Sequence, residues 1–139
     1  MKVLLDANVL VSIVNEEYPV YGYSSRILSL GSSQGSRFVA CTSPVSLAIA
    51  FYYAEKKNKR RAREKISSLA SHLLITKVDE RAVVETVKNK QIHDFEDGLQ
   101  YYSALDSGCK VIVSEDNDDF YFSEIEVLTS REFMEKYVF

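Results

Sequence analysis

Residues Met1–Val11 read MKVLLDANVLV: an apolar run, Val3-Leu4-Leu5, stops at Asp6 and resumes beyond Asn8 as Val9-Leu10-Val11. Two further short apolar runs, Phe38-Val39-Ala40-Cys41 and Val111-Ile112-Val113, lie far along the chain. None alternates with polar residues, so each reads as a strand buried on both faces. The segments between them are longer and carry helical spacing, and strands alternating with helices make an α/β sandwich around a parallel sheet.

The helix ends are marked. Ser43-Pro44 places an N-cap before a proline at the first helical position. Asp79 and Asp94 are further N-caps, Thr129 with Glu132 fits a capping box, and Gly108 ends the helix that opens near Asp94. Within that helix Phe95, Leu99, Tyr102 and Leu105 recur at spacings of four and three, which predicts a core-facing stripe. Gly31–Gly35 (GSSQG) reads as a loop inside one domain.

The remaining arithmetic narrows the class. With 139 residues, 46% hydrophobic, 27% charged, 5 Gly and 2 Pro, the chain is one soluble domain across residues 1–139, neither disordered nor fibrous. A formal net charge of -3 argues against gripping nucleic acid over the whole surface but leaves room for a basic patch. The opening lacks the continuous apolar core and cleavage site of a signal peptide, and the run Val45–Ala54 is too short to span a bilayer. A cytoplasmic protein with no membrane partner is expected. Cys41 and Cys109 share no metal-type spacing and read as two buried free thiols.

Chemistry enters through the acids. Ligands bind beyond the carboxyl ends of the strands in an open parallel sheet. Asp6 ends the first strand, Asp116 follows Val111–Val113, and the helix opening at Asp94 must start at that same edge. Asp6, Asp97 and Asp116 are therefore expected to converge, with Glu96 and Asp119 close by. Two like charges about 4 Å apart repel by about 4 kcal/mol at an effective dielectric of about 20. Neither the Asp6 nor the Asp116 segment holds a Lys or Arg beside its acids, so a divalent cation is the expected partner, and oxygen-only donors suit Mg²⁺ or Mn²⁺. Taken singly the acids have plainer readings: Asp94 and Asp97 as helix caps, Asp116–Asp119 as a solvated turn.

These segments resemble the PIN-domain family, metal-dependent ribonucleases that include the VapC-type toxins of toxin-antitoxin pairs, over essentially the whole chain. LLDANVLV (Leu4–Val11) is similar to the family's opening strand with its first acid at Asp6 and a helper at Asn8; DGLQYYSALDSG (Asp97–Gly108) resembles its later helix with a leading metal-binding Asp. VIVSEDNDDF (Val111–Phe120) resembles its last core strand, placing Ser114, Asp116 and Asp119 on family positions. The resemblance implies a three-layer α/β/α sandwich that hydrolyses RNA phosphodiesters. Asp6, Asp97 and Asp116 would act as metal-holding catalytic acids, supported by Asn8, Glu96, Ser114 and Asp119. It further implies a small antitoxin protein and a homodimer as partners, the dimer through the Tyr-rich first helices.

One departure stands out. Many family members carry a second acid in the helix that here begins at Ser43, whereas Ser43–Tyr53 (SPVSLAIAFYY) has none. The segment more closely resembles a subgroup with Ser-Leu-Ala-Asn there, and Ile49 occupies the Asn position. A second reading follows: a PIN fold without catalysis, serving as an RNA- or protein-binding module. A haloacid-dehalogenase-type phosphohydrolase with Asp6 as nucleophile fits less well, because that family expects a second Asp where Asn8 stands.

Lys56–Lys65 (KKNKRRAREK) holds seven basic residues and one acid. Lys59, Arg60, Arg61 and Arg63 read either as a track for RNA phosphates or as a solvated turn between helices. Tyr18, Tyr21 and Tyr23 could stack on bases, though packing is the commoner use. His72 and His93 lack metal-ligand spacing.

Overall fold

The computed structural model describes residues 1–139. Five strands, β1 (Lys2–Leu5), β2 (Val39–Thr42), β3 (Leu74–Ile75), β4 (Cys109–Val113) and β5 (Glu126–Leu128), form one sheet in the order β3-β2-β1-β4-β5. Every pairing is parallel. The helices are α1 (Ala7–Val14), α2 (Val20–Gly31), α3 (Pro44–Lys57), α4 (Ala62–Ser71), α5 (Glu80–Lys88), α6 (Phe95–Asp106) and α7 (Ser130–Tyr137). None is long and apolar enough to cross a membrane.

The apolar triplets behave as strands buried on both faces. Val3, Leu5, Ala40, Val111 and Val113 point to one side, where Val9, Leu10, Ile27, Ala50, Leu69 and Phe133 from α1, α2, α3, α4 and α7 complete the larger core. Leu4, Cys41, Cys109 and Ile112 point to the other, against Tyr101 and Ala104 of α6 and Phe120. Helix layers on both faces of a parallel sheet make the expected three-layer α/β/α sandwich. Both thiols are buried and free.

Local signals set the boundaries. Ser43 Oγ accepts from Ser46 N with Pro44 opening α3, and Thr129 and Glu132 form the capping box of α7. Gly108 turns the chain from α6 into β4 at φ 78°, a left-handed conformation that L side chains rarely adopt. Asp79 stands at the N-cap of α5 without a side-chain hydrogen bond. Gly31 belongs to the last turn of α2, so the loop starts one residue later than the sequence suggests.

The structure corrects the stripe assigned to α6. Phe95 is 50% exposed, and Leu99, Tyr102 and Leu105 are only partly buried. The buried residues of α6 are Gly98, Gln100, Tyr101, Ser103 and Ala104. The helix lies between the sheet and α5, where close approach favours small residues: a Cβ on Gly98 would stand 2.3 Å from Thr86 Cγ2 of α5. Ser103 is accommodated by hydrogen bonds to Thr76 Oγ1 and Lys77 O, both at 2.6 Å.

The strand order fixes where a site can form. From β1 the chain moves outward through β2 to β3, then returns to place β4 on the other side of β1. The crevice between the carboxyl ends of β1 and β4 is thus the topological switch point of the sheet.

Candidate active site

Asp6 occupies that crevice, as the residue between β1 and α1. Its backbone N–H continues the ladder to Val113 O at 2.9 Å, while its side chain caps α1 by accepting from Ala7 N at 2.8 Å. Ser114, the first residue beyond β4, donates to the other carboxylate oxygen at 2.8 Å. Asn8, in the first turn of α1, reaches across: its Nδ2 donates to Ser114 Oγ at 3.2 Å and to Asp116 Oδ2 at 3.3 Å, and its Oδ1 accepts from Glu115 N at 3.1 Å. Asn8 and Ser114 thereby tie the segment after β4 to the segment after β1.

The third contribution comes from the start of α6. Asp94 caps the helix, accepting from Glu96 N at 2.9 Å and Asp97 N at 3.2 Å. Capping is therefore the work of Asp94, and the Asp97 carboxylate is left without a hydrogen-bond donor. Asp6, Asn8, Asp94, Glu96, Asp97, Asp116 and Asp119 all line one pocket of about 310 Å³, with Ala7, Val11, Glu17, Ile49 and Tyr53. Asp119 forms part of the 3₁₀ turn Asn117–Phe120, its N–H donating to Asp116 O at 3.0 Å. All five acids expected to gather here do so.

The electrostatics follow from this crowding. Seven of the twelve lining residues are acidic and none is basic. Asp97 is pushed up to about 7, first by burial and then by the charges of Asp94, Asp6, Asp119 and Glu96. Burial also raises Asp6, against the pull of its bonds from Ser114 and Ala7, and raises Glu96 with help from Asp94 and Asp6. An all-oxygen donor set with no protein cation to compensate it fits a hard divalent ion. No three acid, His or Cys side chains stand close enough to cage an ion in the arrangement seen.

Other features fall elsewhere. Lys59, Arg60 and Arg61 are exposed in the turn from α3 into α4 and Arg63 is exposed in the first turn of α4, and none of the four lines the acidic pocket. Arg61 instead borders a separate pocket of about 370 Å³ with Lys65, His72 and Glu64, pairing with Glu64 at 3.7 Å. The link between acids and bases runs along α3: Tyr53 lines the acidic pocket, and the Lys56 ammonium lies 5.9 Å from its ring centroid. His93 is exposed, 5.7 Å from the Tyr121 ring. Of the tyrosines after α1, Tyr18 is 75% exposed whereas Tyr23 packs against the main core.

Sequence reasoning missed Glu17 and Tyr53 as pocket residues, and it missed the layer beneath Asp6. Gln100 of α6 is completely buried there. Its Nε2 donates to Asp6 Oδ1 at 3.4 Å and to Ser46 Oγ, and its Oε1 accepts from Ser43 Oγ at 2.5 Å. The one available signal was a Gln three residues after Asp97, on the face of α6 that otherwise carries small or apolar residues.

A model of the PIN domain matches residues 2–118. The chain belongs to the PIN-domain family. It is 32% identical to Ribonuclease VapC1 of Aquifex aeolicus (strain VF5), over 98% of this chain and 95% of that protein. Among solved structures, VapBC-1 of nontypeable Haemophilus influenzae aligns with a TM-score of 0.70 at 15% identity, covering 94% of this chain and 99% of the other. The sarcin-ricin-loop-cleaving toxin VapC20 of Mycobacterium tuberculosis aligns at 0.69 and 16% identity, covering 90% and 98%. VapBC2 of Rickettsia felis, bound to a DNA fragment from its promoter, aligns at 0.68 and 18% identity, covering 92% and 97%. Within a PIN domain the phosphohydrolase alternative for Asp6 falls away.

Proposed function

We propose that this PIN-domain chain is a divalent-metal-dependent endoribonuclease, the toxin of a toxin-antitoxin pair, folded as one domain over residues 1–139. The observation that carries the reading is one pocket at the switch point that Asp6, Asp97 and Asp116 line together and that no basic residue lines. The likeness to a curated ribonuclease over nearly the full length of both proteins supports it. A small antitoxin as partner rests on the VapBC complexes among the structural neighbours.

Asp6, Asp97 and Asp116 would hold Mg²⁺ or Mn²⁺. The chemistry supplied by a bound ion would be activation of water and neutralisation of charge on the phosphate and leaving oxygen. The protein's own part is positional. Ser114 and the α1 amide fix both oxygens of Asp6. Asn8 holds Asp116 against the end of β1, and Asp94 leaves Asp97 free by taking over the helix cap. Glu96 and Asp119 add negative charge at the rim of the same pocket. Exposed bases in the α3–α4 turn supply the attraction for phosphates that the acidic pocket lacks, with Lys59, Arg60, Arg61 and Arg63 as the RNA-facing set.

Incubating the purified chain with labelled RNA tests this reading. Cleavage is expected with Mg²⁺ or Mn²⁺, a fall to background in EDTA, and recovery when Mn²⁺ is restored in excess. Cleavage that persists unchanged in EDTA would refute a metal-dependent mechanism. RNA binding without cleavage under every metal condition would favour the binding-module alternative, which the absence of an acid from Ser43–Tyr53 motivates.

A further inference from the structure

The helix that in many PIN nucleases offers a second acid is acid-free at the pocket, where α3 presents Ile49 and Tyr53. The same helix turns two hydroxyls inward instead. Ser43 at its N-cap and Ser46 in its first turn are fully buried, and both bond to the fully buried amide of Gln100. The amide's orientation is determined by Asp6. A carboxylate accepts and cannot donate when ionised, so Nε2 must face Asp6 and Oε1 must face Ser43, as the structure has it. Three elements are thereby joined: β1 at its carboxyl end, α3 at its start and α6 one turn beyond Asp97.

We propose that Gln100 is a positioning residue for catalysis, holding the Asp6 carboxylate from below through a relay anchored by Ser43 and Ser46. This inference rests on the metal-nuclease reading of the pocket. Two physical points support it. A buried amide is tolerated only when its donors and acceptors are met, and an apolar residue of similar size would fill the same space without that demand. Gln100 also supplies the one bond to Asp6 that comes from the α6 side, complementing Ser114 from β4 and Ala7 from α1. With its oxygens held from three directions, Asp6 keeps its orientation when a cation arrives. Groups that orient a metal ligand are worth about 10-fold to 100-fold in metal affinity or activity when removed.

The test compares wild type, Gln100→Leu, Ser46→Ala and Asp6→Asn by calorimetric titration with Mn²⁺ alone, and by RNA cleavage resolved into kcat and KM. Thermal melts report folding. Gln100→Leu is expected to weaken Mn²⁺ binding about 10-fold or more and to lower kcat by a similar factor, with KM for RNA within about twofold of wild type. Ser46→Ala keeps the amide but removes one anchor, so a smaller loss in the same two quantities is expected; it also serves if Gln100→Leu does not fold. Mn²⁺ affinity and kcat within twofold of wild type in a folded variant, with only the melting temperature lowered, would overturn the positioning role and leave the nuclease reading intact. Absence of Mn²⁺ binding in the wild type itself would overturn both.

Discussion

Asp6→Asn is expected to lower kcat for RNA cleavage about 1000-fold or more while the protein stays folded and KM for RNA changes little, as measured by single-turnover cleavage and circular dichroism. The size follows from the metal-holding role proposed for it. Loss of a metal-holding charge removes several kcal/mol of stabilisation of the developing phosphate charge, and about 4 kcal/mol corresponds to about 1000-fold in rate. The fold is spared because Asn is isosteric and Asp6 sits at the end of a strand whose apolar residues remain in place. Its oxygen can still cap α1 at Ala7. A variant retaining a tenth of wild-type kcat would remove Asp6 from the metal site.

Asp97→Asn is expected to have two opposite effects: cleavage falls by a comparable factor, and the metal-free protein becomes more stable at pH 8. Burial and four neighbouring acids hold the Asp97 carboxyl at about 7 in the fold, against about 3.9 in an unfolded chain. The folded protein therefore binds more protons than the unfolded one between these values, so its stability falls as pH rises from about 4 to about 7, and the deficit persists above. Asn carries no charge and escapes it. Because Asp97 is only partly buried, solvent screening reduces the gain to about 1–2 kcal/mol. Thermal melts in EDTA should show the variant melting several degrees above wild type at pH 8 and by a smaller margin at pH 5. Saturating Mn²⁺ should reverse the order at pH 8, since only the wild type then gains from the ion. A variant less stable than wild type at pH 8 in EDTA would show that Asp97 is not strained by its neighbours.

Stability and function thus pull apart at this pocket. Seven acids around one cavity are a poor arrangement for a protein alone and a good one for a protein with a cation. The near-neutral total of -3 conceals the separation, because the compensating bases sit in the α3–α4 turn outside the pocket.

Much of this was legible in the sequence. Val3-Leu4-Leu5 and Val111-Ile112-Val113 had to be strands with both faces buried, and they are the central pair β1 and β4. The placement of ligands at the carboxyl edge of a parallel sheet then predicts that Asp6, Asp97 and Asp116 share one site, and they line one pocket. Less was legible where an element is too short for a period to show: β3 has two residues and β5 three. On α6 the periodic stripe misled. Large apolar residues at Phe95, Leu99, Tyr102 and Leu105 lie to the sides of the buried face, which is made of Gly98, Gln100, Tyr101, Ser103 and Ala104. A hydrophobic-period reading passes over Gln100 for that reason, because an amide that completes a network under an acid looks, in sequence, like a surface residue.

The carboxylate pocket is expected to bind a divalent cation used in RNA cleavage. Calorimetric titration of the metal-free protein with Mn²⁺ at pH 8 tests it most directly. Saturable binding below millimolar concentration in the wild type, absent in Asp6→Asn, is the predicted result. No detectable binding by the wild type at millimolar Mn²⁺ would contradict it.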